Sequence, residues 1–166
     1  EGLNFKIIEE GRLPAKIRTD ATRLRQCLIN LVGNAIKFTH QGHVYVRVSL
    51  QEIENAPFIS FDVEDTGIGI PEKKQKEIFE TFVQADSSTS REFGGTGLGL
   101  AVVYGLVTQQ EGFIDVETAP NQGTSFHLYF PLQGSVAAVA HQPKPELKEE
   151  LVQTDGKEHK RVLIVD

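Results

Sequence analysis

Apolar residues recur at steps of three and four through Leu24, Leu28, Leu31 and Ala35, with Cys27 and Val32 beside them. That spacing predicts an amphipathic helix from about 21 to 38. Asp20 (or Thr19) stands where an N-cap belongs, and Gln41-Gly42 falls where a C-cap would end it. Ahead of the helix, Leu3 to Glu9 alternates loosely, as an edge strand does, and Leu13 to Arg18 reads as a turn and a short extended piece. Behind it, Val44, Val46 and Val48 share one face of a strand-like run to Leu50, and a second run covers Phe58 to Val63, with Pro57 marking the turn between them. Pro71 opens a short helix, at the first-turn position proline tolerates. A second long helix covers Leu98 to Gln110, with Leu100, Val103, Leu106 and Val107 on one side. Phe113 to Thr118 and Ser125 to Pro131 form a hairpin across Asn121-Gln122-Gly123. The order β, β, α, β, β, α, loop, α, β, β predicts an α+β two-layer sandwich. In it, helices cover one face of a mixed, mostly antiparallel sheet.

Two stretches break this periodicity. Residues 84–97 are polar and glycine-rich, and a long loop inside a compact domain is usually functional or disordered. Residues 134–160 carry Pro143, Pro145 and many charges without core spacing, which reads as a flexible linker. Arg161-Val162-Leu163-Ile164-Val165-Asp166 then resembles a buried parallel strand, four branched apolar residues bounded by charge. The expected organisation is a folded domain over 1–133, a linker over 134–160 and the beginning of something further over 161–166.

Composition narrows the function classes. In 166 residues, 17 Lys and Arg against 23 Asp and Glu leave a net charge of −6, which argues against a general nucleic-acid binder. An apolar share of 39% with ten Phe is enough for a core. One Cys excludes an internal disulfide framework and points to a reducing compartment. No run approaches the ~18 apolar residues of a membrane helix, so no direct membrane contact is expected of this stretch. The chain opens on Glu1 and has no Met, and so reads as a piece of a longer protein.

Three clusters carry chemistry. Asn30, Asn34 and Lys37 are four and three apart, hence on one stripe of the first helix. Amide oxygens suit magnesium and a lysine neutralises phosphate, although a solvated polar face has the same pattern. Asp65-Thr66-Gly67-Ile68-Gly69-Ile70-Pro71 joins a strand to a helix. Its glycines let backbone approach a flat ligand, and its carboxylate can accept from an exocyclic amine, which adenine has and guanine replaces with a carbonyl. A plain strand-to-helix turn is the alternative. Gly94-Gly95-Thr96-Gly97-Leu98-Gly99-Leu100 opens the second long helix, where exposed N–H groups and the helix dipole attract anions; the Lys-Ser/Thr ending of a P-loop is missing. Arg91, in the polar loop, could reach a terminal phosphate or simply face solvent. Phe79 and Phe82 could be core or could anchor the base of that loop. His40, His43, His127, His141 and His159 show no metal-ligand spacing. Cys27 reads as a small core residue.

Taken in order, these elements over about residues 1 to 132 resemble the ATP-binding catalytic domain of hybrid sensor histidine kinases, which has the Bergerat-type fold shared with gyrase B, Hsp90 and MutL. Asn30-Leu31-Val32-Gly33-Asn34-Ala35-Ile36-Lys37-Phe38-Thr39 resembles the N box, and Asp65-Thr66-Gly67-Ile68-Gly69 the first glycine box. Phe79-Glu80-Thr81-Phe82 resembles the F box, Gly95-Thr96-Gly97-Leu98-Gly99-Leu100 the second glycine box, and Gln122-Gly123-Thr124-Ser125-Phe126 the closing Gly-Thr motif.

The resemblance implies ATP and Mg2+ as cofactors. Asn34 would be the magnesium ligand with Asn30 beside the metal and phosphates, while Lys37 and Arg91 would contact phosphate oxygens. Asn30, Lys37 and Arg91 would thus be the catalytic set. Asp65 would read the adenine amine, with Gly69 and Thr124 helping to close the base pocket and Gly67 also in the nucleotide-binding set. Residues 83–97 would form a lid, the Gly97 and Leu98 backbone amides would hold the phosphates, and Gly95, Thr96 and Gly99 would complete the nucleotide-binding set. The ATPase relatives carry Glu where Asn30 stands. An amide cannot take a proton from water, so the resemblance implies ATP binding with poor hydrolysis. The phosphoryl acceptor would be a histidine on a separate dimerisation domain, since none of the five histidines here has the expected surroundings. Arg161 to Asp166 resembles the first strand of a receiver domain. The implied partners are that acceptor domain and a receiver or response regulator, in the cytoplasm, with a monomeric fragment and a dimeric parent. Two rivals stay open: an ATP-driven clamp of the gyrase or Hsp90 kind, and a degenerate scaffold that binds no nucleotide.

Overall fold

A computed structural model describes residues 2–71, 74–75, 97–132, 146–154 and 157–165, with backbone alone for 97–98, 146–154 and 157–165. The elements are β1 (Leu3–Glu9), α1 (Ala21–Phe38), β2 (Gly42–Ile53), β3 (Ala56–Asp65), α2 (Gly97–Thr108), β4 (Phe113–Ala119), β5 (Gly123–Pro131), β6 (Glu146–Thr154) and β7 (Lys157–Val165). The expected α+β sandwich is therefore present. The sheet order is β1-β2-β3-β5-β4-β7-β6, with β1 parallel to β2 and every other neighbour antiparallel.

Helix α1 occupies the predicted span because its start is capped. The Asp20 carboxylate accepts the N–H groups of Thr22 and Arg23 at 3.0 and 3.1 Å, satisfying two donors that a helix start leaves orphaned. Its apolar stripe, Cys27, Leu31 and Ala35, is buried against the sheet. Helix α2 adds Leu100, Val103, Tyr104 and Val107, and the facing strands contribute Val44, Val63, Ile114, Val116 and Leu128. Alternation on β2 through β5 follows from this: residues of one parity meet the helices and the others form the outer face.

Four local expectations are corrected. Leu13 to Arg18 is not a strand; Ile17 packs on the core from irregular chain. The C-cap of α1 is Thr39, in extended conformation, rather than Gln41-Gly42. Gly42 instead begins β2 at φ 114°, where a Cβ would lie 2.1 Å from the Thr66 hydroxyl oxygen. The β2–β3 turn is Glu54-Asn55, with φ of 52° and 63°, the doubly positive signature of a two-residue hairpin. Pro57 lies within β3 opposite Glu52. Finally, Arg161–Val165 belongs to β7, which is antiparallel to β4 and β6, not parallel to a neighbour. Residues 146–154, within the stretch read as linker, are extended and pair with it. Beyond the first turn at Pro71, whose carbonyl accepts from Lys74 and Gln75, the expected short helix lies outside the described residues.

Candidate functional site

Asp65 is the last residue of β3 and stands beside the C-terminus of α1. Its carboxylate accepts the Gly67 N–H at 2.8 Å and the Thr39 hydroxyl at 3.5 Å, and it also takes the Thr124 N–H. Burial raises its pKa above the ordinary carboxylate value, and these hydrogen bonds only partly oppose that. No cation among the described residues pairs with it. Among the described residues, Asp65 is thus a half-buried acid held by uncharged donors, and such a group is a functional-site candidate.

Glycine is required around it for two distinct reasons. Gly69 has φ 64°, and a Cβ there would fall 2.0 Å from the Ala119 carbonyl. Gly67 would drive a Cβ to 2.4 Å from the Phe38 carbonyl and 2.9 Å from the Asp65 carboxylate. The loop after β3 is thereby pressed against the β4–β5 hairpin, an arrangement fastened by the Asn121 N–H to Ile68 carbonyl bond at 2.7 Å.

Asn34 lies on the flank of α1 that faces α2: a Cβ built on Gly99 would sit 3.9 Å from its side-chain nitrogen. The first helix and the glycine-rich start of the second therefore meet at Asn34 and Gly99. Asn30, one turn earlier, accepts from Gln26 at 3.3 Å. Lys37 is exposed, its ammonium 5.2 Å from the Phe38 ring centroid. Thr124 is buried and shares a hydrogen bond of 3.1 Å with Thr118. Gly97 opens α2, but the side chain of Leu98 is not described, and Arg91, Gly95, Thr96, Phe79, Phe82 and the expected lid lie outside the described residues.

Two residues at this site escaped the sequence reading. Thr39 follows the helix as its C-cap and reaches Asp65. Thr118 stands opposite Thr124 in the β4–β5 register, a placement the hairpin alone implies once its turn is fixed. A cleft of about 350 Å3 lined by Arg18, Thr19, Asp20, Gln110 and neighbours is a separate feature. It lies at the N-terminus of α1, and the 18 residues of that helix put it roughly 27 Å from Asp65's end.

The histidines separate by surroundings. His43 pairs with Glu64 at 2.9 Å and stacks on Tyr45, while His127 pairs with Asp62 at 2.9 Å. Both pairs lie on the outer face of the sheet, away from Asp65.

Comparison with known proteins places the chain in a family. Residues 19–134 match the family described as histidine kinase-, DNA gyrase B-, and HSP90-like ATPase. The autoinducer 2 sensor kinase/phosphatase LuxQ of Vibrio vulnificus (strain YJ016) is 40% identical over 151 residues, covering 88% of this chain and 18% of that protein. The circadian input-output histidine kinase CikA of Synechococcus elongatus is 46% identical over 131 residues, covering 78% of this chain and 17% of that protein. Full-length ShkA, solved in complex with AMPPNP, superposes with a TM-score of 0.63 at 36% identity, over 82% of this chain and 27% of that one. The chain thus spans less than a fifth of the length of these two curated relatives.

Proposed function

The chain belongs to the histidine kinase-, DNA gyrase B-, and HSP90-like ATPase family and carries a histidine-kinase-type ATP-binding domain, and from that premise we propose that it serves a hybrid sensor histidine kinase. In that role it presents ATP–Mg2+ to a histidine on a separate dimerisation domain. The observation that carries the proposal is Asp65: an acid pinned by Gly67, Thr39 and Thr124, with no paired cation among the described residues, between the C-terminal end of α1 and the β4–β5 hairpin. Such a group fits the adenine amine and disfavours a carbonyl in the same place.

The remaining roles are those that the family resemblance implies. Asn34, against the start of α2, holds the magnesium ion, with Asn30 beside it. Lys37 and Arg91 neutralise phosphate charge, and the amides from Gly95 through Gly99 line the phosphates at the helix N-terminus. Magnesium, when bound, screens the charge that accumulates as the terminal phosphoryl group leaves. In the transfer, the bond from the γ-phosphorus to the bridging oxygen breaks, a bond to the acceptor nitrogen forms, and ADP departs. Positioning and charge neutralisation supply most of the catalysis. Asn30 cannot act as a base toward water, which favours phosphoryl transfer over the clamp-type hydrolysis of other family members. In the parent, 161–166 would begin a receiver domain and 134–160 would tether it, an arrangement in which β6 and β7 would leave the sheet edge they occupy here. The parent is a dimer with this module in the cytoplasm, where ATP is available.

Calorimetry with a non-hydrolysable ATP analogue tests the proposal. Binding that strengthens with magnesium is expected. In Asn34→Ala the titrations with and without magnesium should converge, and a magnesium effect that persists would remove Asn34 from the metal. No heat at high micromolar ligand would leave the scaffold reading standing.

A further inference from the structure

Thr118 is 5% exposed and its hydroxyl has three neighbours. The Ile70 N–H donates to it at 3.0 Å, the Gly123 carbonyl lies at 3.1 Å, and the Thr124 hydroxyl lies at 3.1 Å. A hydroxyl offers one hydrogen and two lone pairs. A carbonyl only accepts, so all three contacts are hydrogen bonds at once only if the Thr118 hydrogen points to Gly123. The single hydrogen of Thr118 therefore goes to Gly123. One lone pair serves Ile70, and the other is left to accept from Thr124.

We infer that Thr118 is a specificity-determining residue: by taking the Thr124 hydroxyl hydrogen, it fixes Thr124 as an acceptor toward the base pocket. Thr124 and Asp65 stand opposite each other in the β3–β5 register. With the carboxylate accepting by nature and the hydroxyl accepting by assignment, the polar side chains of the pocket present lone pairs only. An exocyclic amine, directly or through a water, satisfies both. A ring carbonyl at the same position faces two acceptors and gains nothing. The selectivity is built in a layer beneath the residues that touch the ligand, by a threonine that itself never reaches it. The inference rests on Asp65 and Thr124 lining an adenine pocket.

The test compares ADP with IDP, which differ where adenine carries an amine and hypoxanthine a carbonyl. Dissociation constants for both are measured by calorimetry on the 166-residue chain, with magnesium, for the wild type, Thr118→Val and Thr118→Ser. The wild type should prefer ADP. Thr118→Val, which keeps the shape and loses the hydroxyl, frees the Thr124 hydrogen and should narrow the ADP-to-IDP ratio about fivefold. Thr118→Ser should restore the wild-type ratio. Equal weakening of both nucleotides in Thr118→Val would reduce Thr118 to a structural role and overturn the inference, as would an unchanged ratio. If Thr118→Val does not fold, Thr118→Cys, whose thiol is a weak donor and acceptor, is held to the same ratio. A wild-type chain that binds neither nucleotide would overturn the adenine-pocket reading itself and this inference with it.

Discussion

Glu64 and Asp65 are neighbours on β3 and their carboxyl groups are perturbed in opposite directions. Strand alternation puts Glu64 on the outer face and Asp65 at the helix-covered side. Burial tends to raise both. For Glu64, hydrogen bonds from His43 and Arg47 outweigh that and hold its pKa below the ordinary value. For Asp65, donors from Gly67, Thr124 and Thr39 do not outweigh it, and the pKa stays raised. Glu64 has its countercharges within the protein; among the described residues Asp65 has only uncharged donors. The difference separates a structural acid from one held ready for a ligand, and charge alone would not distinguish them.

The largest expected effect comes from the backbone that creates the Asp65 surroundings. Gly69→Ala forces a side chain into φ 64° and to 2.0 Å from the Ala119 carbonyl. A loss of at least about 2 kcal/mol of stability is expected, or displacement of the loop with loss of nucleotide binding. A variant that melts and binds like the wild type would mean that the loop is not pressed on the hairpin. Next comes the acid itself. Asp65→Asn should weaken adenine nucleotide binding by about 1.5–3 kcal/mol, the range for a hydrogen bond to a charged group. Glu64→Gln should leave that affinity unchanged. Equal effects of the two substitutions on binding would erase the contrast.

The contrast was only half visible in the sequence. Asp65 stood out because two glycines follow it, and glycine spacing is a local signal. Asn34 stood out because helical periodicity fixes which residues share a stripe. Thr39 and Thr118 did not, because their roles depend on where one element ends and on how two strands register. The misplaced C-cap and the Pro57 turn have different origins: Thr39 reaches Asp65, 26 positions away, whereas Glu54-Asn55 is a local turn that closes between Ile53 and Ala56. The outer-face pairs were equally hidden, since His127 meets Asp62 across 65 positions.

On stability the order reverses. Glu64→Gln breaks the pairing with His43 and Arg47, and since those side chains are partly solvated the cost should be about 1 kcal/mol or less, smaller at high salt. Asp65→Asn removes a charge that burial disfavours. A group whose folded pKa is raised binds its proton more tightly in the fold, so the ionised form at neutral pH works against stability. The ligand-free Asp65→Asn variant should therefore melt no lower than Glu64→Gln. A markedly lower melting temperature for Asp65→Asn would assign Asp65 a structural role like that of its neighbour.

The smallest effect concerns His127, which carries the same logic onto a cation. Burial lowers its pKa, but the hydrogen bond and charge of Asp62, with Glu117 and Asp115 nearby, raise it above 6.5 on balance. A raised folded value means that the charged form is favoured in the fold. Its stabilisation is then complete below 6.5 and is lost as pH rises through the raised value. The other ring nitrogen is buried and has no hydrogen-bond partner among the described residues, which limits the gain, so on the order of 1 kcal/mol or less is expected. Melting temperatures across this interval should decline in the wild type and decline less in Asp62→Asn, where the main partner has lost its charge. Nucleotide affinity should stay flat over the same range, because His127 and Asp65 lie on opposite faces of the sheet. A parallel decline in both proteins would show that Asp62 does not hold the proton on His127. A nucleotide affinity that tracks the His127 titration would mean that the two faces communicate, and the separation between structural and ligand-ready charges would fail at this point.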